Sequence, residues 1–458
     1  MNRDDLAEAV AAAIKVATSR ERVEVSTRTR WVLADTISVA LAAGRRPLAS
    51  ALVRDHVLTG SWRNPEKSPD FPATLLTATG GWAQPDRAAY INGSILCDLE
   101  MDEGVRPTGH PAAHVLPAVL AAGEALNASL GSILDSLLVG YEITAYLLET
   151  FTLAEGIHPH GHLGAIGAAV AVAHLRRVDA LPAALVAATT QLITTWGPCT
   201  DGATARNTWT GHAAQTGLLA QRLADAGWEG SAQILGTAFD GRVAFKKGAP
   251  LPSVESPRIL NGYFKFFSAC ALTHTSIEAA LSLAPLNHDD IATITVRTTA
   301  NNLKVAAKPA DNALSRRFSI PFAVAAALSQ SSADASKFDA PDAKTADLAQ
   351  RVNVEEEPAF TGMWPAAAPA KVSVRLKNGN VLVGHCDNAL GTAARPVSAE
   401  ELREKSASLL GDGGRAWDIL VSAAETDSIS DVLASVFTEA ASDATAVGAN
   451  DAREPIPA

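Results

Sequence analysis

Cysteine is scarce in this chain. Four occur in 458 residues, at Cys97, Cys199, Cys270 and Cys386, with no CxxC pair among them. Such spacing suggests neither a disulfide framework nor a zinc site. Aromatic residues are few, at 5%, and charged residues make up only 19%. No basic stripe with interleaved aromatics occurs, which argues against nucleic acid as a partner. No apolar run reaches the roughly 18 charge-free residues that a membrane helix needs. The opening "MNRDDLAEAVAAAIKVATSRERVEV" carries acids in its first turn and no cleavage site after an apolar core. It reads as an amphipathic helix, not a signal peptide. The expectation is a soluble, cytoplasmic protein with no membrane association.

What the chain does have is alanine and enough apolar material for a large core, at 47% hydrophobic. Alanine favours helix and lets helices approach closely. The length exceeds one ordinary core, so two domains are expected. The formal net charge is −11, so an anionic ligand would need a local cationic pocket set against the overall field.

Residues 1–267 read as a series of helices. "TRTRWVLADTISVALAAG" places apolar residues at helical spacing and stops at Gly44, a natural residue just past a helix end. "GSILDSLLVGYEITAYLLETF" is apolar over most of its circumference and is expected to be buried. "GAIGAAVAVAHL" has small residues three and four apart, which invites close helix packing. "ALPAALVAATTQLITTW" and "GHAAQTGLLAQRLADAG" continue the series. The character changes over 268–396. "IATITVRTTA" alternates as a half-buried strand, "SIPFAVAAALSQ" reads as a helix, and "AKVSVRLKNGNVLVGHC" is two strand runs around Asn378-Gly379, a hairpin signal. Residues 397–440 return to helix, opening with a capping box at Ser398 and Glu401. The tail 441–458 is small and polar and reads as disordered. The expected fold is mostly α: a large all-helical domain with an inserted, smaller α+β lid.

Histidines cluster with acids and cations. "CDLEMDEGVRPTGHPAAHVLPAVL" brings Glu100, Asp102, Glu103 and His110 together ahead of a helix that Pro111 starts, so His110 falls at the N-cap or just before it, near the positive end of the helix dipole. "EGIHPHGHLGAIG" sets His158, His160 and His162 before another helix. "FKFFSACALTHTSIEAAL" carries Lys265 and His274 at the domain junction, where ligand sites tend to form. "DGATARNTWTGHAAQTG" adds Arg206. Each group also has a structural reading. A histidine beside an apolar helix is usually packed or capping, acids before a helix complement its dipole, and Arg206 fits a solvated charge. No complete ligand set with a recognised spacing points to a metal.

The ordered set "AAYINGSILCDLEMDEG…GHPAAHVLPAVLA", "GYEI", "HPHGHLGAIGAAVAVA", "GHAAQTGLLA", "FKFFSACALTHTSIEA" and "FSIPFAVAAAL" resembles the MmgE/PrpD family, which contains 2-methylcitrate dehydratase, cis-aconitate decarboxylase and iminodisuccinate epimerase. The resemblance runs from about residue 5 to about 440. It implies a homodimer with no cofactor and an active site in the cleft between the domains. The family's Asp-x-Asp-Asp-Thr motif falls on Glu100, Asp102, Glu103 and Gly104, followed by His110-Pro111. A family lysine falls on Arg206, and the later motif places Lys265, Ser268 and His274. A further histidine falls on His158.

The resemblance implies a lyase. The leading expectation is a dehydratase of a 2-methylcitrate-like di- or tricarboxylate, with His110 and His274 as base and acid, Glu100, Asp102 and His158 as further catalytic groups, and Arg206, Lys265, Glu103 and Gly104 on the substrate. Epimerisation of a small dicarboxylate follows, then decarboxylation, which Gly104 and Arg206 weaken because arginine does not readily give up a proton. A binding protein without activity is the reading from another class.

Overall fold

The stretches richest in alanine and leucine form the helices that carry the site. The computed structural model describes residues 1–18, 23–58, 62–63, 72–77, 80–237, 244–245, 252, 256–308 and 312–438. The expected disordered tail lies outside the described residues. The protein is mostly α, with little sheet. Its body contains α1 (Arg3–Thr18), α2 (Val23–Ala43), α3 (Pro85–Leu96), α4 (Pro111–Ala125), α5 (Leu130–Thr150), α6 (Leu163–Leu175), α7 (Ala180–Thr190) and α8 (Thr208–Asp225).

Helices α4, α5 and α6 pack against one another at glycines. A Cβ on Gly140 would lie 2.6 Å from Val115 and 2.8 Å from the Gly167 carbonyl, and one on Gly167 would lie 2.7 Å from the Gly140 carbonyl. Only hydrogen at these positions permits so close a crossing. Gly44 is also a packing glycine: a Cβ there would meet the Leu76 carbonyl at 2.1 Å, and its φ is not left-handed, unlike the helix-end role expected of it. Helix α7 ends at Thr190, earlier than the apolar pattern through Trp196 implies, and Gln191 is already extended.

The sheet of the C-terminal half contains β3 (Ile291–Thr298), β4 (Val352–Glu356), β5 (Ala370–Leu376) and β6 (Val381–Cys386), in the order β6-β5-β3-β4. Strands β5 and β6 form the expected hairpin, with Gly379 at φ +91° in its turn. Strand β4 lies parallel to β3. The connection between them holds α10 (Ile320–Gln330) and α11 (Ala343–Gln350), and α9 (His274–Leu281) packs on β5 and β6. An apolar cluster from Ile277 to Cys386 fills this unit, joined by Cys199, Ala269 and Cys270 at its edge. The chain then returns to the body. Helix α12 (Ala399–Leu410) starts with the Ser398–Glu401 capping box, and α12 and α13 (Arg415–Ser422) both pack on α2. Lys405 of α12 makes a buried ion pair with Asp35 of α2 at 2.7 Å and donates to the Met101 carbonyl at 3.3 Å. The return segment thus supports the loop that carries the site acids.

Candidate active site

The acids lie on a loop whose backbone is unusual. A 3-10 turn at Cys97–Leu99 ends on Glu100, which adopts φ 52°, the left-handed region that a glutamate seldom occupies. The chain then forms the short strand β1 (Gly104–Val105), paired with β2 (Gly262–Tyr263), and re-enters helix at Pro111 with His110 as N-cap. The β1–β2 register sets Gly104 opposite Tyr263, and a Cβ on Gly104 would lie 2.4 Å from the Tyr263 hydroxyl oxygen. Glycine at 104 leaves the room the phenol occupies.

The buried charges form one chain of contacts. Arg206 Nη1 lies 2.7 Å from Glu100 Oε1, Lys265 Nζ lies 3.4 Å from Glu100 Oε2 and 3.1 Å from Asp102 Oδ1, and Asp102 Oδ2 lies 2.8 Å from His110 Nδ1. Lys265 and Arg206 are at most 1% exposed, so Arg206 is not the solvated charge its loop suggested. Burial alone would raise the pKa of Asp102, but Lys265 and then His110 outweigh it and hold this carboxyl well below the usual range. Burial opposes the charge on Arg206 as well, and Glu100 restores it, so the guanidinium stays protonated.

Glu103 behaves differently. Its carboxyl accepts from the Ala112 N–H of α4 at 2.7 Å and from the Tyr141 hydroxyl at 3.0 Å. Burial pushes its pKa up to about 7 against those bonds. It caps the first turn of α4, which is the structural reading of an acid before a helix.

The histidines gather behind and beside His110. The His110 ring meets His160 edge-on at 4.8 Å, and His160 in turn meets His158 at 4.6 Å and His114 at 5.3 Å. Burial keeps His158 and His160 neutral, and the positive charge of Arg206 adds to the effect on both. Burial and then Lys265 lower His274 to about 3, and its Nε2 lies 3.1 Å from the Ala269 carbonyl. His110 Nδ1 faces two acceptors, Asp102 Oδ2 and the Glu103 carbonyl at 2.6 Å, so Nδ1 carries the proton and Nε2 is the basic nitrogen.

A cavity of about 530 Å³ opens in front of this network, between the body and the sheet unit. Glu100, His110, His158, Arg206 and His274 line it. Asp102, Glu103, Gly104 and Lys265 do not. They stand behind the wall, where Lys265 pairs with Glu100 and Asp102 and Glu103 accepts from Ala112. Three residues that the sequence did not single out for a role belong here: His160 between the other imidazoles, and Tyr263 and Lys304 on the wall. Tyr263 precedes Lys265 by two positions, a proximity that was its one signal. Cys97, Asp102 and His160 set one ligand atom each within 4.8 Å of one another. Asp102 is already committed to Lys265 and His110, and the charge of the buried Arg206 acts on the Cys97 thiol, so the set does not fit a cation.

The cavity of this mostly helical protein thus sets a histidine beside a carboxylate and buried cations, groups that can move a proton and hold an anion. Comparison with known proteins gives the family. Residues 4–250 match the MmgE/PrpD N-terminal domain and residues 267–418 match the MmgE/PrpD C-terminal domain, so the chain belongs to the MmgE/PrpD family of enzymes. It is similar to cis-aconitate decarboxylase of Mus musculus, 27% identical over 72% of this chain and 74% of that protein. It is also similar to cis-aconitate decarboxylase of Homo sapiens, 28% identical over 71% of this chain and 73% of that protein. No helix among the described residues is long and apolar enough to cross a membrane.

Proposed function

We propose that the protein is a lyase that removes water from a small polycarboxylate of the 2-methylcitrate type, with the sheet unit acting as a lid over the helical body. The observation that carries the reading is the placement of His110 Nδ1, 2.8 Å from Asp102 Oδ2 and 2.6 Å from the Glu103 carbonyl. Asp102 and the Glu103 carbonyl hold Nδ1–H and leave Nε2 as a base in a ring that lines the cavity. In this reading Nε2 takes the proton from the carbon next to a substrate carboxylate. The electron pair left on that carbon forms the double bond as the C–O bond breaks, and the imidazolium, stabilised by Asp102, returns its proton to the departing hydroxyl. Arg206 holds the carboxylate on which negative charge develops. His274, kept neutral, serves as a hydrogen-bonding partner.

The similarity to the two cis-aconitate decarboxylases favours a second reading, loss of carbon dioxide. In that case the His110 imidazolium would protonate the carbon left behind. Arg206, fixed in its ion pair with Glu100, is no proton donor for that step. NMR of the purified protein with 2-methylcitrate, citrate, cis-aconitate and iminodisuccinate in D₂O separates water loss, carbon dioxide loss and bare deuterium exchange. His110→Asn is expected to lower kcat at least about 100-fold on the working substrate, and His274→Asn less. Full turnover by the His110 variant would remove the assignment.

A further inference from the structure

We propose that Lys304 and Arg106 form an anion subsite in the cavity that holds a substrate carboxylate remote from His110. The inference rests on the reading of the substrate as a polycarboxylate.

Among the described residues two carboxylates line the cavity, Glu100 and Glu149, and both are engaged: Glu100 by Arg206 at 2.7 Å and Glu149 by Arg258 at 2.7 Å. Among the described residues the cations on the wall are Arg106, Arg206 and Lys304. Arg206 is partnered by Glu100, and behind the wall Lys265 is partnered by Glu100 and Asp102, so each of these deep cations already has a carboxylate beside it. Lys304 and Arg106 differ. Neither has a carboxylate partner among the described residues. Lys304 Nζ donates to Asn301 Oδ1 at 2.8 Å and stands 5.7 Å from the centre of the Trp196 ring. Arg106 donates through Nη1 to the carbonyls of Pro365 at 3.2 Å and Ala366 at 3.1 Å and to Asn388 Oδ1 at 3.2 Å, and lies over Trp364 at 5.6 Å. Its Nε–Nη2 edge has no acceptor among the described residues, and such an edge can bind a carboxylate through two hydrogen bonds.

Both cations are fixed to the sheet unit. Lys304 belongs to the 3-10 turn Ala300–Val305 that follows β3, and Arg106 is a body residue whose bonds all reach the segment around 364–388. Burial lowers the pKa of both, the mark of a charge that lacks its full solvation and gains from an arriving anion. In a protein of net charge −11, two unmatched cations on one cavity form the local positive field that a multiply charged acid needs to enter. The carboxylate at Arg206 is then the reacting one, and the carboxylate at Lys304 and Arg106 sets which substrates are long enough and charged enough to bind.

The test uses propane-1,2,3-tricarboxylate, which has no hydroxyl to lose, and succinate, one carboxylate shorter, in isothermal titration calorimetry with the full chain. Lys304→Gln is expected to weaken tricarboxylate binding about tenfold and succinate binding less than about twofold, with Lys304→Arg restoring the affinity. Arg106→Gln is expected to act in the same sense. Equal binding of the tricarboxylate by wild type and Lys304→Gln, or no binding by wild type, overturns the subsite. Dependence of binding on Lys304 in a protein that shows no turnover leaves the subsite standing and removes the proposed reaction. Turnover unaffected by Lys304→Gln does the reverse.

Discussion

At the scale of single residues, Glu100 decides whether the deep charge network holds. Its two oxygens serve two different buried cations, Arg206 and Lys265, and its left-handed backbone aims it between them. Removing one member of a buried ion group leaves the others uncompensated, and this loss generally exceeds what the group contributes over an apolar substitute. Glu100→Gln keeps the shape and removes the charge, leaving Asp102 alone against two cations. The expected cost is about 3–5 kcal/mol of folding stability, read from urea unfolding at pH 7.5. A loss under about 1 kcal/mol would mean that solvent reaches Arg206 and Lys265 far more than their burial allows.

At the scale of elements, the histidines are placed by helices whose crossings depend on glycine. Helix α4 begins just after His110, and α6 begins after the His158–His162 loop, so the angle between them fixes how these rings meet. Gly140 of α5 sits where the three helices touch. Gly140→Ala would gain up to about 1 kcal/mol in helix propensity. The new methyl group would collide with Val115, Ala171 and the Gly167 carbonyl. Overpacking costs about 1–3 kcal/mol, so the variant is expected to be less stable and also slower, since the crossing carries His110. Unfolding and turnover measured together check this, and an alanine that raises stability would show that the helices can separate freely. The same contrast explains what could be read from the chain beforehand. The apolar helix α5, the hairpin at Asn378-Gly379, the Ser398–Glu401 box and the N-cap position of His110 depend on residues a few places apart, and these were legible. The early end of α7, the burial of Arg206, the retreat of Lys265 behind the wall and the meeting of Tyr263 with Gly104 depend on partners far along the chain. No local pattern encodes them. Similarity to a family supplied the positions of Glu100, Arg206 and His274, but not which of them reach the cavity.

At the scale of the whole molecule, the site makes folding depend on pH in two opposed ways. His114 and His162 are lowered to about 4 and His274 to about 3, in each case by burial first, and His158 and His160 lie well below the usual value for the same reason. Between about pH 6 and 5 the unfolded chain protonates these five histidines and the native one does not, so acid removes stability. Glu103 and Glu142, each raised to about 7 by burial, act the other way. The native state keeps their protons up to about pH 7 while the unfolded state has lost them, so stability falls as pH rises through that window. The histidines outnumber the glutamates by three, and each uncompensated proton is worth about 1.4 kcal/mol per pH unit. Stability is therefore expected to fall steeply from pH 6 to pH 5, since the roughly 5–15 kcal/mol that folded proteins typically have is small beside several such protons. Glu103→Gln isolates the opposing arm. Its amide reproduces the protonated carboxyl that accepts from Ala112, so at pH 8 the variant should exceed wild type by roughly 3 kcal/mol, and the advantage should vanish by about pH 4.5. Urea unfolding of both proteins at pH 8, 6.5 and 5.5 gives the comparison. A difference between them that stays constant with pH would mean that Glu103 is ionised in the native state, and that the first turn of α4 is capped by a carboxylate rather than an acid.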